Sequence, residues 1–421
     1  MNKRLVQQFL ARVALAGSVW LAMRATPVIA ADGERKLTDA HTQVVAEGAA
    51  WGTITPLADG SLGLIYQLGR PLPDVDACNV SMQWVRSADG GKTWSAPVLI
   101  SERLGPNGTL FAPREGGGYV VFQQRNQALG QLPGGRIVCS FCELNYNYDQ
   151  GGKPVNNPDA DHNHQNQGVV YTWSDDMGKT WLPTRRMDTG PVGGSGGGVS
   201  PHWRVVTLKD GTALMTIYGS YNPQYSGPVK VPSGTRKVAG VVRSTDSGKT
   251  WGDFTPIFTD SDYRQYEETA LCLVGEKLLA HQRRSEGNIV QYESLDGGRT
   301  WHGPTPLTEP GQHPGGAFVL ASGKLLATWG NRRPPFGAAA MIGADAGETW
   351  NYEHRVSLAW DAPGENCGYA NGAQAGDGTI VVTYYIMPAG LSAGRYRTFW
   401  TDSKVYATRF TEEQFLKAAG L

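Results

Sequence analysis

The chain has 421 residues, with 38 acidic and 38 basic side chains and a formal net charge of zero. No basic field is present to hold nucleic acid, which points to a ligand recognised locally, through shape and a few polar groups. Fifty-five glycines, thirteen tryptophans and seventeen tyrosines, with only 18% charged residues, are the composition of many short strands and turns.

The N-terminus reads as a targeting segment. Lys3, Arg4 and Arg12 precede the apolar run Val13–Met23, and Val28-Ile29-Ala30 places small residues before a cut ahead of Ala31. The run is too short for the roughly 20 apolar residues that a bilayer span requires. The expectation is a signal peptide over 1–30 and a secreted or periplasmic protein with no membrane insertion after cleavage. Residues 31–421 would then form a single domain, because no linker divides them.

Two repeats interleave along that domain. The first is S-x-D-x-G-x-T-W, which occurs as Ser87-Ala-Asp89-Gly-Gly91-Lys-Thr93-Trp94 and Ser174-Asp-Asp176-Met-Gly178-Lys-Thr180-Trp181. It returns as Ser244-Thr-Asp246-Ser-Gly248-Lys-Thr250-Trp251 and Ser294-Leu-Asp296-Gly-Gly298-Arg-Thr300-Trp301. A worn copy, Gly343-Ala-Asp345-Ala-Gly347-Glu-Thr349-Trp350, lacks the opening Ser. Short Ser and Asp side chains bond back to the backbone and Gly accepts positive φ, so each copy predicts a tight turn between strands.

The second repeat is a glycine turn between apolar runs: Leu57-Ala-Asp59-Gly60, Leu132-Pro-Gly134-Gly135, Leu208-Lys-Asp210-Gly211, Val274-Gly275-Glu276, Ala321-Ser-Gly323 and Gly376-Asp377-Gly378. Each is a hairpin signal. Together the two repeats predict an all-β fold, a six-bladed β-propeller of four-stranded antiparallel blades with Asp-box turns. The last blade, Gly368 to Phe410, lacks an Asp box. Thr42–Gly48 is the expected partner that closes the ring beside Ser403–Phe410, and Thr411–Leu421 reads as a capping helix with Thr411 as N-cap.

Other features carry less. The cysteines at 78, 139, 142, 272 and 367 are odd in number and scattered, which suggests buried thiols and no disulfide framework. Cys139-Ser-Phe-Cys142 has the spacing of half a zinc site without a second pair. His162 and His164, in the polar stretch Asn145–Gly168, read as a solvated loop, and Gly190–Gly198 as a connector. No metal or cofactor is expected.

Chemistry is sought where each innermost strand opens. These positions are Trp51-Gly-Thr53, Gln123-Gln-Arg125, Ser200-Pro-His202-Trp-Arg204, Tyr266-Glu267-Glu268-Thr269, Gln312-His313-Pro314 and Gly368-Tyr369-Ala370-Asn371. Two Arg, two His, two Glu and two Tyr gather at the mouths of otherwise apolar strands.

Repeated Asp boxes in such an array resemble the sialidase (neuraminidase) superfamily, over Thr42 to Phe410. The resemblance implies a secreted, exo-acting, retaining glycoside hydrolase working on glycan termini. Tyr369 matches the family's nucleophile and Glu268 its partner carboxylate, with Glu267 adjacent. Asp76 matches the acid/base, with Asp74 close by. An anomeric carboxylate would repel an anionic nucleophile, and a neutral Tyr deprotonated by Glu avoids this. Of the family's three carboxylate-binding arginines, Arg283 matches the second and Arg332 or Arg333 the third. The first is missing, and Trp51 stands in its place; Arg70, Arg125 or Arg204 could substitute. His202 and His313 complete the candidate binding set. Two other functions fit the residues. One is another glycosidase or a uronate-directed polysaccharide lyase, the lyase using His202, Arg204 and Tyr369. The other is a non-catalytic glycan-binding propeller stacking sugars on Trp51, Trp203 and Trp329.

Overall fold

The Asp-box turns close through their own side chains. At the fourth copy the Ser294 hydroxyl donates to Asp296 Oδ1 (2.8 Å) and accepts from the Gly298 amide (2.9 Å). Asp296 also accepts the amides of Arg299 and Thr300 (2.9 Å each) and the Thr300 hydroxyl (2.6 Å). The copies at Ser87, Ser174 and Ser244 repeat the core of this pattern. In the fifth copy only a long Thr349–Asp345 bond remains (3.3 Å), beside a short 3₁₀ turn. The missing Ser has a steric reason, because a Cβ on Gly343 would lie 2.6 Å from the Trp350 ring. Gly178 is similarly required: its φ is +84°, and a Cβ there would meet the Trp84 indole at 2.1 Å.

The computed structural model describes residues 35–73, 77–153, 155, 164–193, 198–260, 268–284, 287–388 and 396–421. The expected signal peptide and its cleavage site lie outside them, as do Asp74, Asp76, Glu267 and His162; the His164 side chain is likewise not described. The chain is all-β, and its strands follow the two repeats in antiparallel sets of four. The first set is Ala49–Pro56, Leu62–Pro71, Cys78–Ser87 and Val98–Ser101. The next is Tyr119–Gln131, Ile137–Tyr148, His164–Ser174 and Arg185–Arg186, followed by Val199–Thr207, Ala213–Ser220, Lys237–Ser244 and Gly252–Asp260. Thr269–Val274, Lys277–Arg283, Ile289–Ser294 and His302–Pro306 form a sheet of their own. Gln312–Val319, Leu325–Asn331, Gly337–Ala344 and Thr349–Trp350 form another, which Val356–Ala359 joins. In the last set Cys367–Gln374, Ile380–Ile386 and Lys404–Phe410 are completed by the early strand His41–Glu47, with Thr42 opposite Thr408.

The structure departs from separate blades at one place. Parallel pairings of Val80 with Gln123, and of Trp203 and Arg204 with Ala128 and Leu129, fuse the first three sets into one 13-stranded sheet. The stretch from Asn145, expected as loop, begins and ends in strand, because alternating Asn and Tyr residues extend the hairpin to Tyr148 and resume it at His164. A helix, Tyr396–Asp402, was not anticipated in the last set. The C-terminal helix Glu412–Ala419 carries a capping box, with the Gln414 amide donating to Thr411 Oγ1 (3.1 Å) and Gln414 Oε1 accepting the Thr411 amide (2.7 Å).

Neighbouring sets are held by apolar layers. Leu279, Leu325, Trp329 and Met341 form one such layer, and Ile65, Met82, Trp84, Leu129 and Phe141 another. Each such side chain contributes roughly 1.5–3 kcal/mol by leaving water. Glutamines tie adjacent hairpins: Gln131 accepts the Ala58 amide (2.6 Å), and Gln374 accepts that of Ala321 (2.6 Å). All five cysteines are buried free thiols.

Candidate active site

The first strands of four of the six sets share a local irregularity that helps to position the site. Trp51, Asn126, Trp203 and Tyr369 each take φ between +47° and +61°, and strand register shifts at each of them. A left-handed non-glycine residue costs about 1–3 kcal/mol and persists only where packing over-determines it. Each bulge re-aims side chains that regular pleating would bury between the sheets. Trp51, Asn126, Gln127, His202, Tyr369 and Asn371 consequently line one pocket.

Tyr369 donates its hydroxyl proton to Glu268 Oε1 at 2.5 Å, and Arg283 Nη1 donates to Glu268 Oε2 at 2.9 Å. The hairpin turning at Gly275 sets Arg283 beside Glu268. Thr269 pairs with Gln282, and the Arg283 amide bonds to the Glu268 carbonyl at 2.9 Å. Close approach of two glycines brings Tyr369 to the next set, since a Cβ on Gly368 would fall 2.4 Å from Gly330 Cα. Arg332, just beyond Gly330, then places its guanidinium 5.3 Å from the Tyr369 ring centroid.

The electrostatics follow from burial and from Arg283. Burial pushes the Tyr369 hydroxyl far above its ordinary range, and the Glu268 charge adds to that push. Burial would also raise Glu268, but the Arg283 guanidinium and the hydrogen bonds from Tyr369 and Arg283 outweigh it, so the carboxyl is held down at about 2. The free site therefore holds a neutral phenol against an ionised carboxylate. His202, whose ring lies 6.2 Å from that of Tyr369, is lowered to about 4 by burial, which outweighs the nearby Glu268 charge. His313 is lowered to about 3 by burial and by Arg283 and Arg332. Both imidazoles are neutral at pH 7. His202 Nε2, His313 Nδ1 and Arg332 Nε are buried without partners among the described residues, and such groups are normally satisfied by a ligand or water.

The other candidates are distributed as follows. Arg333 is engaged elsewhere, with Glu309 (2.8 Å) and the Tyr352 hydroxyl (3.2 Å), which leaves Arg332 as the arginine facing Tyr369. Arg70 is exposed and paired with Glu102 at 3.1 Å. Arg125 stacks over Trp51 at 4.7 Å and bonds to Gln123 and Tyr146 (3.1 Å each). Arg204 faces the opposite end of its strand, toward the hairpin turns, where it donates to the Gly372 carbonyl (2.5 Å). The bulge at Trp203 separates it from His202, which regular alternation would put on the same face, so the lyase set of His202, Arg204 and Tyr369 is not assembled. Trp203 and Trp329 are core side chains at 4% and 0% exposure, which removes two of the expected sugar platforms.

Trp51 sits in an aromatic nest that the sequence reading missed. Its ring stacks on Phe399 (5.0 Å), lies 5.2 Å from Tyr385 and 5.4 Å from Trp400, and meets Tyr369 edge-on at 5.8 Å. Phe399 and Trp400 belong to the unexpected helix, and their adjacency in Phe399-Trp400 was the available signal. Asn126, which bonds to the Ser200 (3.1 Å) and Tyr218 (3.0 Å) hydroxyls, was also missed; its sequence neighbours give no hint of the bulge.

Comparison with known proteins bears on the fold. The family model described as BNR repeat-like domain matches residues 155–382, more than half of the chain. The chain belongs to that family. A Bacteroides fragilis protein named sialidase is 25% identical over 321 residues, covering 71% of this chain and 53% of the relative. The chain thus spans about half the length of the curated relative it matches. Among solved structures, a Dyadobacter fermentans protein of unknown function aligns with a TM-score of 0.64 at 19% identity, over 87% of this chain and 98% of the other. The intramolecular trans-sialidase from Ruminococcus gnavus, in complex with oseltamivir carboxylate, aligns at 0.62 and 14% identity, over 90% and 98%. A Hadza microbial sialidase aligns at 0.58 and 17%, over 87% and 66%. A BNR repeat-like domain, and a propeller-like fold shared with sialidase structures, are thereby shown for this chain.

Proposed function

We propose that the protein is an exported glycoside hydrolase of the sialidase type, built on a six-bladed propeller whose ring is closed by the early strand His41–Glu47. Its substrate would be a glycan ending in a sugar acid. Tyr369 would attack the anomeric carbon while Glu268 takes its proton, and Asp76 would protonate the leaving oxygen. Water would then release the sugar, with Asp76 acting as base. The observation that carries this reading is the buried 2.5 Å hydrogen bond from Tyr369 to Glu268, with Arg283 on the second carboxylate oxygen.

The same bond sets a problem that the substrate would solve. A carboxylate held near 2 is a poor base for a phenol raised well above its ordinary range. A substrate carboxylate drawn to Arg332 and Arg283 would loosen the grip of Arg283 on Glu268 and restore its basicity as the phenol must ionise. Two guanidinium groups would then do what the family assigns to three, with the Trp51 indole as the remaining wall.

The test is hydrolysis of an aryl sialoside, run beside Tyr369→Phe and beside aryl glycosides of other sugar acids. Release of the aryl group by the wild type and its loss in the variant is the expected result. Turnover that survives Tyr369→Phe would remove the assigned nucleophile.

A further inference from the structure

At the opposite end of the inner strands lies an open cavity of about 370 Å³, bounded by the hairpin turns near Ala58, Ala321 and Gly376. Arg204 reaches it from across the fold, one residue beyond Trp203, which lines the pocket beneath Tyr369. Among the described residues no carboxylate pairs with Arg204. Its Nη2 donates to the Gly372 carbonyl (2.5 Å) and the guanidinium lies 5.7 Å from the Phe318 ring centroid, but Nε is buried with no partner.

Arg243 shows what a purely structural arginine looks like in this fold. It donates to the carbonyls of Asp253, Gly297 and Gly298 and to the Thr255 hydroxyl, at 2.7 to 3.2 Å. Arg204 makes one hydrogen bond. A guanidinium stays charged at any physiological pH, and a half-buried charge without a counter-ion is costly, so natural proteins tend to pair it. Burial draws the Arg204 pKa below its ordinary value.

The remaining walls define what could pair with it. Rim amides are spent internally: Gly60 bonds to Leu57 (2.9 Å), Gly376 to Gly60 (2.8 Å) and Gly378 to Ala375 (3.0 Å). The other lining side chains are mainly apolar, including Phe318, Ala373, Ala375 and the exposed Val319. We infer that this cavity is a second ligand site, which takes a small organic carboxylate with an apolar body, the carboxylate on Arg204 and the body against Phe318 and Val319. A planar carboxylate matches the guanidinium fork, and an apolar body matches walls whose polar side chain, Gln374, is already bonded to the Gly378 carbonyl and the Ala321 amide. The site is independent of the Tyr369 chemistry.

Calorimetric titration of the full chain with benzoate and hexanoate tests this, with benzamide as neutral isostere and inorganic phosphate as bare anion. Expected are dissociation constants below about 1 mM for the two carboxylates and at least tenfold weaker binding of benzamide and phosphate. Binding should vanish in Arg204→Gln and persist in Arg332→Met, which leaves this cavity intact. Ala58→Trp, an exposed turn position, should block the mouth, and it decides the matter should Arg204→Gln not fold. No binding by the wild type, equal binding of benzamide, a preference for phosphate, retention in Ala58→Trp, or loss in Arg332→Met alone would each overturn the assignment.

Discussion

The Asp-box turns and the openings of the inner strands obey opposite rules. Asp89, Asp176, Asp246 and Asp296 each accept a Ser hydroxyl and a Thr amide at 2.7 to 2.9 Å, in nearly superposable patterns. Four of the openings share a backbone bulge, and the residues these present are all different: Trp51, Asn126, Trp203 beside His202, and Tyr369. Repetition of a side-chain pattern therefore marks architecture here, and repetition of backbone geometry with divergent side chains marks the site. Selection for a fold acts on the turn, whereas selection for chemistry acts on what the bulge points at.

That contrast can be broken by exchanging the two kinds of residue in experiment. The largest effect is expected at Tyr369: its conversion to Phe should lower kcat on an aryl sialoside by more than about 1,000-fold. The melting temperature should change little, because one hydroxyl is lost and the ring packing against Trp51 remains.

Removing Arg283 should disturb both stability and chemistry. Arg283→Met leaves Glu268, at 5% exposure, without its cation, at a cost of about 3–5 kcal/mol measured by urea unfolding. Burial then loses its strongest opponent and Glu268 rises, so the acid limb of the pH–rate profile moves to higher pH. An unmoved limb would show that Arg283 does not control Glu268.

An Asp-box residue should behave in the opposite way. Asp296→Ala removes several hydrogen bonds from a turn and should cost about 1–2 kcal/mol in unfolding experiments. kcat/KM at a temperature where the variant is folded should stay within twofold of the wild type. A larger catalytic loss would mean that the turns reach the site.

A further prediction separates the two regions by pH. His202, His281 and His313 are held neutral by burial, with folded pKa values of about 4, 4 and 3 against an ordinary 6.5. The unfolded chain binds protons first, so stability is complete above pH 6.5 and declines as pH falls toward 4, by up to about 1.4 kcal/mol per unit for each His. The Asp-box carboxylates Asp89 and Asp176 are lowered from 3.8 to about 2 by bonds from Thr93 and Thr180, and contribute loss only below about pH 3.8. Thermal melts between pH 7.5 and 3 should show the first decline in the wild type and a shallower one in His281→Gln. A flat profile down to pH 4 would contradict buried neutral histidines.

Much of this was legible in the sequence because turn chemistry is local. Ser294, Asp296, Gly298 and Thr300 bond to one another within a few residues, so their pattern survives in the linear order. Glu268 and Arg283 were legible as well, since one hairpin sets them opposite each other. The direction of Arg204 was not, because the register shift between His202 and Val206 is a tertiary effect with no sequence mark. The aromatic nest around Trp51 escaped for the same reason: Phe399 and Trp400 reach it from a helix inserted between two strands.

The most direct measurement is to trap the nucleophile. A sugar-acid fluoride carrying a second fluorine beside the anomeric carbon should accumulate as a covalent adduct, read by mass spectrometry after quenching and digestion. The adduct is expected on the peptide containing Tyr369, and absent in Tyr369→Phe. Turnover of the same reagent with no adduct, or with the label on another residue, would contradict the assignment of Tyr369 and Glu268 as nucleophile and base.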